Sequence, residues 1–301
     1  MINYVGHRKV FYWISTIMVV VAISAIALFG FRLGIDFKSG SIWEVQIPNT
    51  NIATVKDFFT STLNQSVETV ALDSQSSTYS ITMNVISEAS RQQYLTQIQD
   101  KFGSGVQDVS FSSVSPTISS QLEQNAVWAI ILVLVFISLF ISFAFRKVSQ
   151  PISSWKYGAL TLITLFHDVV IPAGLYAILG RYFGVAADSN FLVALLVVMG
   201  FSVHDTIVVF DRVRENLVKY RGREDFGSIV NRSINETFRR SVSTSLTLIL
   251  VLLAIYLLGP LSLKYFVLTI LVGTTVGAYS SILIASPLLV TWNNWKNKKK
   301  A

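Results

Sequence analysis

Ser189–Phe210 reads SNFLVALLVVMGFSVHDTIVVF, and Asp205 is its only charged residue. A helix needs roughly 20 mostly apolar residues to cross a bilayer, so this stretch is long enough to span one. Its neighbours repeat the pattern. Val10–Phe31, Gln124–Phe145, Ser241–Leu263 and Tyr265–Trp295 contain no Lys, Arg, Asp or Glu, and Tyr157–Gly180 is broken only by Asp168. Six spans are expected, because closed helices satisfy their own backbone polar groups in lipid. The first span is expected to be retained: its apolar run is long, and Phe29–Gly30–Phe31–Arg32 is not a small-residue cleavage site.

Composition agrees with a membrane protein. The 301-residue chain is 52% hydrophobic and 14% charged, whereas a soluble domain is about 25% charged. It has no Cys, which excludes disulfide frameworks, iron–sulfur clusters and thiol nucleophiles. With only His7, His167 and His204 available, no multi-His metal site is expected. There is no Walker loop, G-x-G-x-x-G, G-x-S-x-G or H-E-x-x-H, so no NTP or hydrolase site is expected, and no cofactor. An ion gradient or a partner would have to drive any work.

The net charge of +7 is a topology signal. With the N-terminus inside, 17 of the 24 basic residues fall in cytoplasmic segments. These are Arg8 and Lys9, the Arg146–Lys156 loop, the 211–240 loop and the tail from Lys296. Both termini are expected in the cytoplasm, and no nucleic-acid partner is needed to explain the charge. The 211–240 loop mixes Arg with Glu215, Glu224, Asp225 and Glu236, which predicts a solvated amphipathic helix on the membrane surface.

Residues 33–121 are then an extracytoplasmic domain. Ser41–Ile47, Val67–Leu72, Thr78–Ile86 and Val106–Val114 read as strands. Asn51–Leu63 and Ser87–Phe102 read as helices. The order βαββαβ is the ferredoxin-like arrangement. Ser110–Ser120, Ser-rich with Pro116, is expected to be a linker to span 2. The domain's role stays open between a packing module and direct contact with substrate. The chain thus divides into 1–32 with span 1, the α+β domain 33–121, and 122–301 with spans 2–6.

An ionisable group at mid-membrane costs about 3 kcal/mol on insertion scales, so Asp168 and Asp205 each need a reason. Each follows a histidine, His167 and His204. Arg240 opens span 5 at a depth comparable to Asp205, followed by Ser241, Ser243, Thr244, Ser245 and Thr247. Ser202 and Thr206 lie beside Asp205 on span 4. One reading is a proton path through Asp205, Arg240, His204, Asp168, His167, Ser202, Thr206 and Thr244. The other is a fixed Asp205–Arg240 pair, with hydroxyls that only join helices. Gly273-x-x-x-Gly277 on span 6 is a close-packing motif.

These residues carry a resemblance. Leu33–Gly40, LGIDFKSG, resembles the L-G-[IL]-D-F-x-G-G motif of the SecD/SecF translocase subunits, RND-superfamily membrane proteins. Val198–Asn216, VMGFSVHDTIVVFDRVREN, is similar to the span-4 signature of the SecF branch. Asn235–Thr247 is similar to the family's span-5 entrance. The resemblance implies an RND-type half of six transmembrane helices with one ferredoxin-like domain between helices 1 and 2, working with SecD and the SecYEG channel on exported unfolded polypeptide. It implies that protons drive the movement, that Asp205 and Arg240 match the family's span-4 Asp and span-5 Arg, and that Gly34, Asp36 and Gly40 form the motif after span 1. It also implies the bacterial cytoplasmic membrane. Two positions depart from the family: Ser39 stands where the first Gly of Gly-Gly is usual, and His204 where Asn is common. Two alternatives are kept, a half-transporter of a small molecule or lipid, and a non-transporting scaffold for a SecD-like partner.

Overall fold

The computed structural model describes residues 1–73, 76–146, 153–220 and 223–298. Lys147, Arg221, Lys299 and Lys300, counted above as cytoplasmic, lie outside the described residues. In chain order the elements are α1 (Arg8–Phe29), α2 (Ile35–Lys38), β1 (Gly40–Gln46), α3 (Ile52–Asp57), β2 (Val67–Asp73), β3 (Thr78–Met83), α4 (Glu88–Phe102), β4 (Gln107–Val114), α5 (Pro116–Ala144), α6 (Ser154–Phe183), α7 (Ser189–Lys219), α8 (Phe226–Leu258), α9 (Lys264–Ser280) and α10 (Ser286–Lys298). Single π-helical stretches, Phe58–Thr62 and Ser281–Ala285, follow α3 and α9. The chain forms two compact units, Leu33–Val127 and the remainder.

Among the described residues, six helical stretches are long and apolar enough to cross a membrane: α1, α5, α6, α7, α8 and Lys264–Trp295. Their ends follow local chemistry. Asp188 accepts a bond from the Phe191 amide at 2.9 Å and so caps α7. Asp225 does the same for α8 through the Ser228 amide at 3.1 Å. Gly184 closes α6 with φ 71°, a left-handed conformation that glycine adopts without a Cβ penalty. Helices α1 and α6 cross at a glycine. A Cβ on Gly174 would lie 2.4 Å from the Cα of Ala22, so only hydrogen fits between the two backbones. On the other side of α6, Phe145 stacks on Tyr157 at 5.1 Å and both meet the Phe210 ring edge-on.

The expected surface helix over 211–240 is not what forms. Helix α7 continues to Lys219 and α8 already begins at Phe226. Arg212 Nε of α7 donates to Glu236 of α8 at 2.6 Å, and Arg232 of α8 donates to Glu224 in the connection between them at 2.6 Å. Buried Asn216 donates to Ser233 at 3.0 Å and to Glu236 at 2.7 Å.

The other unit is a four-stranded antiparallel sheet in the order β2-β3-β1-β4. Alternation along β1 and β3 sends Trp43, Val45, Tyr79 and Ile81 into the core with Val55, Phe59 and Ile98 from the helical segments. The indole of Trp43 is fully buried, and its N–H donates to Asp108 at 2.9 Å. Asp108 also pairs with Arg91. Ser87 caps α4 through the Ser90 amide at 3.1 Å. Arg91 hydrogen bonds hold the Glu88 carboxyl below the usual carboxylate range, so that link persists at neutral pH and is lost on acidification. At Gly40, φ is 148° and a Cβ would lie 2.9 Å from the Met83 carbonyl oxygen. Three sequence expectations are corrected. The strand from Thr78 ends at Met83. The Asn51–Leu63 helix widens into a π stretch from Phe58. Ser110–Ser120 is no linker: β4 runs to Val114, and Pro116 starts α5, where its missing N–H has no helical partner to lose.

Gly174→Ala should destabilise the chain in detergent by about 1–3 kcal/mol through overpacking. Gly200→Ala, where nothing lies within 4 Å, should leave the melting temperature nearly unchanged. Equal melting of the two variants would refute the crossing.

Candidate functional site

The two intramembrane carboxylates lie in different surroundings. Asp168, on α6, is completely buried. It accepts hydrogen bonds from Ser202 Oγ on α7, from Ser280 Oγ on α9 at 2.7 Å, and pairs with Nδ1 of its neighbour His167 at 2.8 Å. Three helices therefore converge on one carboxyl group. The approach depends on small residues. A Cβ on Gly277 would lie 3.2 Å from that of Ser202, and one on Gly273 would lie 2.3 Å from Val198 Cγ2. The glycines of the GxxxG motif thus face α7 directly and bring the short serine side chains within reach of Asp168.

His167 is buried, and its Nε2 has no hydrogen-bond partner among the described residues. Its ring lies 6.5 Å from that of Tyr279. A second hydroxyl pair adjoins this site: Thr206 Oγ1 and Ser281 Oγ, 2.9 Å apart, at the start of the π stretch. There the ordinary i→i−4 ladder is interrupted, and Ser286 Oγ donates to the Ser281 carbonyl at 3.1 Å.

Asp205, on α7, is 2% exposed. Its side-chain bond is to Ser245 Oγ of α8, at 3.2 Å. Among the described residues no ion pair joins it to Arg240, so the fixed-pair arrangement does not form here. Arg240 is exposed and borders a cavity of about 270 Å³ with Asp211, Arg214, Phe145 and Ile207. The helical period separates these groups: Ser245 follows Arg240 by five residues, roughly 140° around α8. Ser202 turns to Asp168 and not to Asp205. Thr244 is exposed and donates to its own helix at the Arg240 carbonyl, 2.9 Å away. Ser245, one residue on, makes the contact expected of that hydroxyl run. His204 is exposed, turned roughly 100° around α7 from buried Asp205.

After α1, Gly34 precedes the short helix α2, Asp36 lies within it, and Gly40 starts β1. Ser39 has φ 64°, the left-handed region that glycine occupies most readily.

Comparison with known proteins defines the relationship. Residues 94–295 match the family model described as protein export membrane protein SecD/SecF, C-terminal. The chain belongs to the SecD/SecF family. It is 41% identical to the protein translocase subunit SecF of Thermobaculum terrenum, over 98% of this chain and 95% of that one. It is 33% identical to SecDF of Thermus thermophilus over 99% of this chain, but only 39% of that longer protein. The crystal structure of SecDF from Thermus thermophilus superposes with a TM-score of 0.81 at 30% identity, covering 97% of this chain and 39% of that one. SecDF in a super-membrane-facing form gives 0.69 at 28% identity, covering 99% of this chain and 40% of that one. With its six apolar helices, this family member is a multi-pass membrane protein of bacteria.

Sequence reasoning missed the role of Gly174, although small residues at Ala173, Gly174 and Ala177 signal a close helix crossing. The bond from Ser280 to the Asp168 carboxylate could not be read from spacing. Ser202→Ala and Ser280→Ala should each lower stability by about 1–3 kcal/mol, because each removes a donor from a buried carboxyl group. Thermal melts in detergent test this, with Ser243→Ala, an exposed position, as a near-neutral control.

Proposed function

We propose that this chain acts in protein export as the SecF-type half of a SecD–SecF complex, using proton flow through its membrane region to move its sheet-bearing domain. The observation that carries the reading is the state of Asp205: a carboxyl group almost fully buried in an apolar span, held by the Ser245 hydroxyl and, among the described residues, in no ion pair with Lys or Arg. Such a group can take up or release a proton without first breaking an ion pair. Asp168, with three donors, is the more rigid of the two acids, and the open Nε2 of His167 offers a second proton-exchange position beside it.

A partner is supported by what the bundle leaves uncovered. His204, Arg240, Ser243, Thr244 and Thr247 are exposed on α7 and α8 at membrane depth, where lipid alone satisfies polar groups poorly. In the SecDF relatives the matched part is about two-fifths of a longer chain, so a SecD-like partner is the natural cover. In this reading both termini are cytoplasmic, the ferredoxin-like domain of residues 33–121 stands outside, the complex works beside SecYEG in the cytoplasmic membrane, and Gly30 and Gly34 flank the hinge. Release or uptake of a proton at Asp205 changes its hold on Ser245, and Arg240, roughly 140° around α8 from Ser245, stabilises the carboxylate state only once the helices rearrange during the cycle.

Asp205→Asn should abolish proton-stimulated export in vesicles while the protein stays inserted and co-purifies with its partner. A silent Asp205→Asn would favour the scaffold reading. His204→Asn should shift the pH dependence of export, and an unchanged profile would remove His204 from the relay.

A further inference from the structure

The segment before α1 is held on α8 by an unusual set of bonds. Asn231 and Asn235, one turn apart on α8, grip the main chain of residues 2–5. Asn235 Oδ1 accepts from the Ile2 amide at 3.0 Å, and its Nδ2 donates to the Ile2 carbonyl at 2.9 Å. Asn231 Nδ2 donates to the same carbonyl at 3.0 Å, and its Oδ1 accepts from the Val5 amide at 3.2 Å. The two amides thus satisfy the strap's backbone as a neighbouring strand would, without reading its side chains. One turn further along, the Phe238 ring stacks on Tyr4 with centroids 5.7 Å apart. Tyr4 and Val5 are 8% and 7% exposed, packed into the main core of the helical unit.

Position along α8 gives this clamp its meaning. Asn231, Asn235, Phe238, Val242 and Ser245 follow one another at intervals of four and three residues, so they form one stripe. The stripe that the strap grips is the stripe whose far end holds Asp205. Phe238 and Ser245 are seven residues apart, roughly 10 Å along the axis. A helix that rolls enough to part Ser245 from Asp205 must also drag Asn231 and Asn235 off the strap. Beyond the strap, His7 Nδ1 bonds the Asn3 carbonyl at 2.7 Å and the Gly6 amide donates to the Asn3 side chain at 2.8 Å. That compact turn leads directly into α1, which is locked to α6 at Gly174.

We infer that Asn231 and Asn235 are positioning residues: by gripping the backbone of residues 2–5 they fix the rotation of α8 about its axis, and with it the Ser245–Asp205 contact. The inference rests on the reading of Asp205 as the proton-carrying group, but its geometry can be tested without export. The chain has no cysteine, so a single Ser241→Cys on α8, at a site 1% exposed, reports helix rotation through maleimide labelling. The full chain is labelled in membranes together with its SecD-type partner. Adding N231A/N235A removes the four hydrogen bonds to the strap and should raise the labelling rate roughly tenfold or more. Tyr4→Ala, which keeps both amides, should give a smaller rise and serves if the double variant fails to insert. Labelling that stays at the parental rate in inserted, partnered protein overturns the inference. In the chain without the cysteine, N231A/N235A should also move the pH midpoint of proton-driven export, whereas loss of folded complex alone would lower its amplitude at constant midpoint; an unmoved midpoint likewise overturns the inference. If Asp205→Asn proves silent while N231A/N235A still raises labelling, the proton reading fails and the clamp stands.

Discussion

A carboxyl group inside a membrane must find its hydrogen-bond donors within the protein, and Asp168 finds them on three helices. Two of the donors are serines, among the shortest polar side chains, so their helices must come close. Closeness in turn demands glycine at the α7–α9 crossing, where Gly273 and Gly277 face Val198 and Ser202. Removing either serine leaves the buried carboxyl group one donor short, at a cost of about 1–3 kcal/mol. The centre of the bundle is organised by this requirement.

Asp205 follows the opposite logic. Among the described residues its side-chain bond is to one hydroxyl, that of Ser245 on α8, a helix that also exposes Ser243, Thr244 and Thr247. Among the described residues Asp168 has three side-chain partners and Asp205 one, although both acids sit in one bundle on helices that touch. In the proposed function the first belongs to the frame and the second is the switch.

Much of this was legible from the residues. Six apolar runs identify six long helices because length and hydropathy are local properties. The alternation of Trp43, Val45 and Ile47 marks β1 for the same reason. Asp168 and Asp205 stand out because charge is scarce in such surroundings. Contacts distant in sequence were not legible. Ser280 lies 112 residues from the carboxylate it serves, and no local pattern encodes that meeting. The 211–240 segment was misjudged because its alternating charges fit a surface helix equally well. Only the pairing of Arg212 with Glu236 and of Asn216 with Ser233 shows that the two helices run on and meet each other. The sequence placed Arg240 beside Asp205 by depth alone, and depth leaves the azimuth of a residue about its helix undetermined.

The π stretch at Ser281–Ala285 bears on the last span as a whole. One extra residue per turn throws the two halves of that span out of phase by roughly 100°, so a stripe that begins on one side of α9 emerges on another side of α10. The span is therefore two surfaces in series. Its first half presents glycine and serine to α7 and the buried acid, and its second half carries Leu289 and Val290 into the terminus-bearing core. An uninterrupted α-helix of the same composition could not serve both neighbours at once.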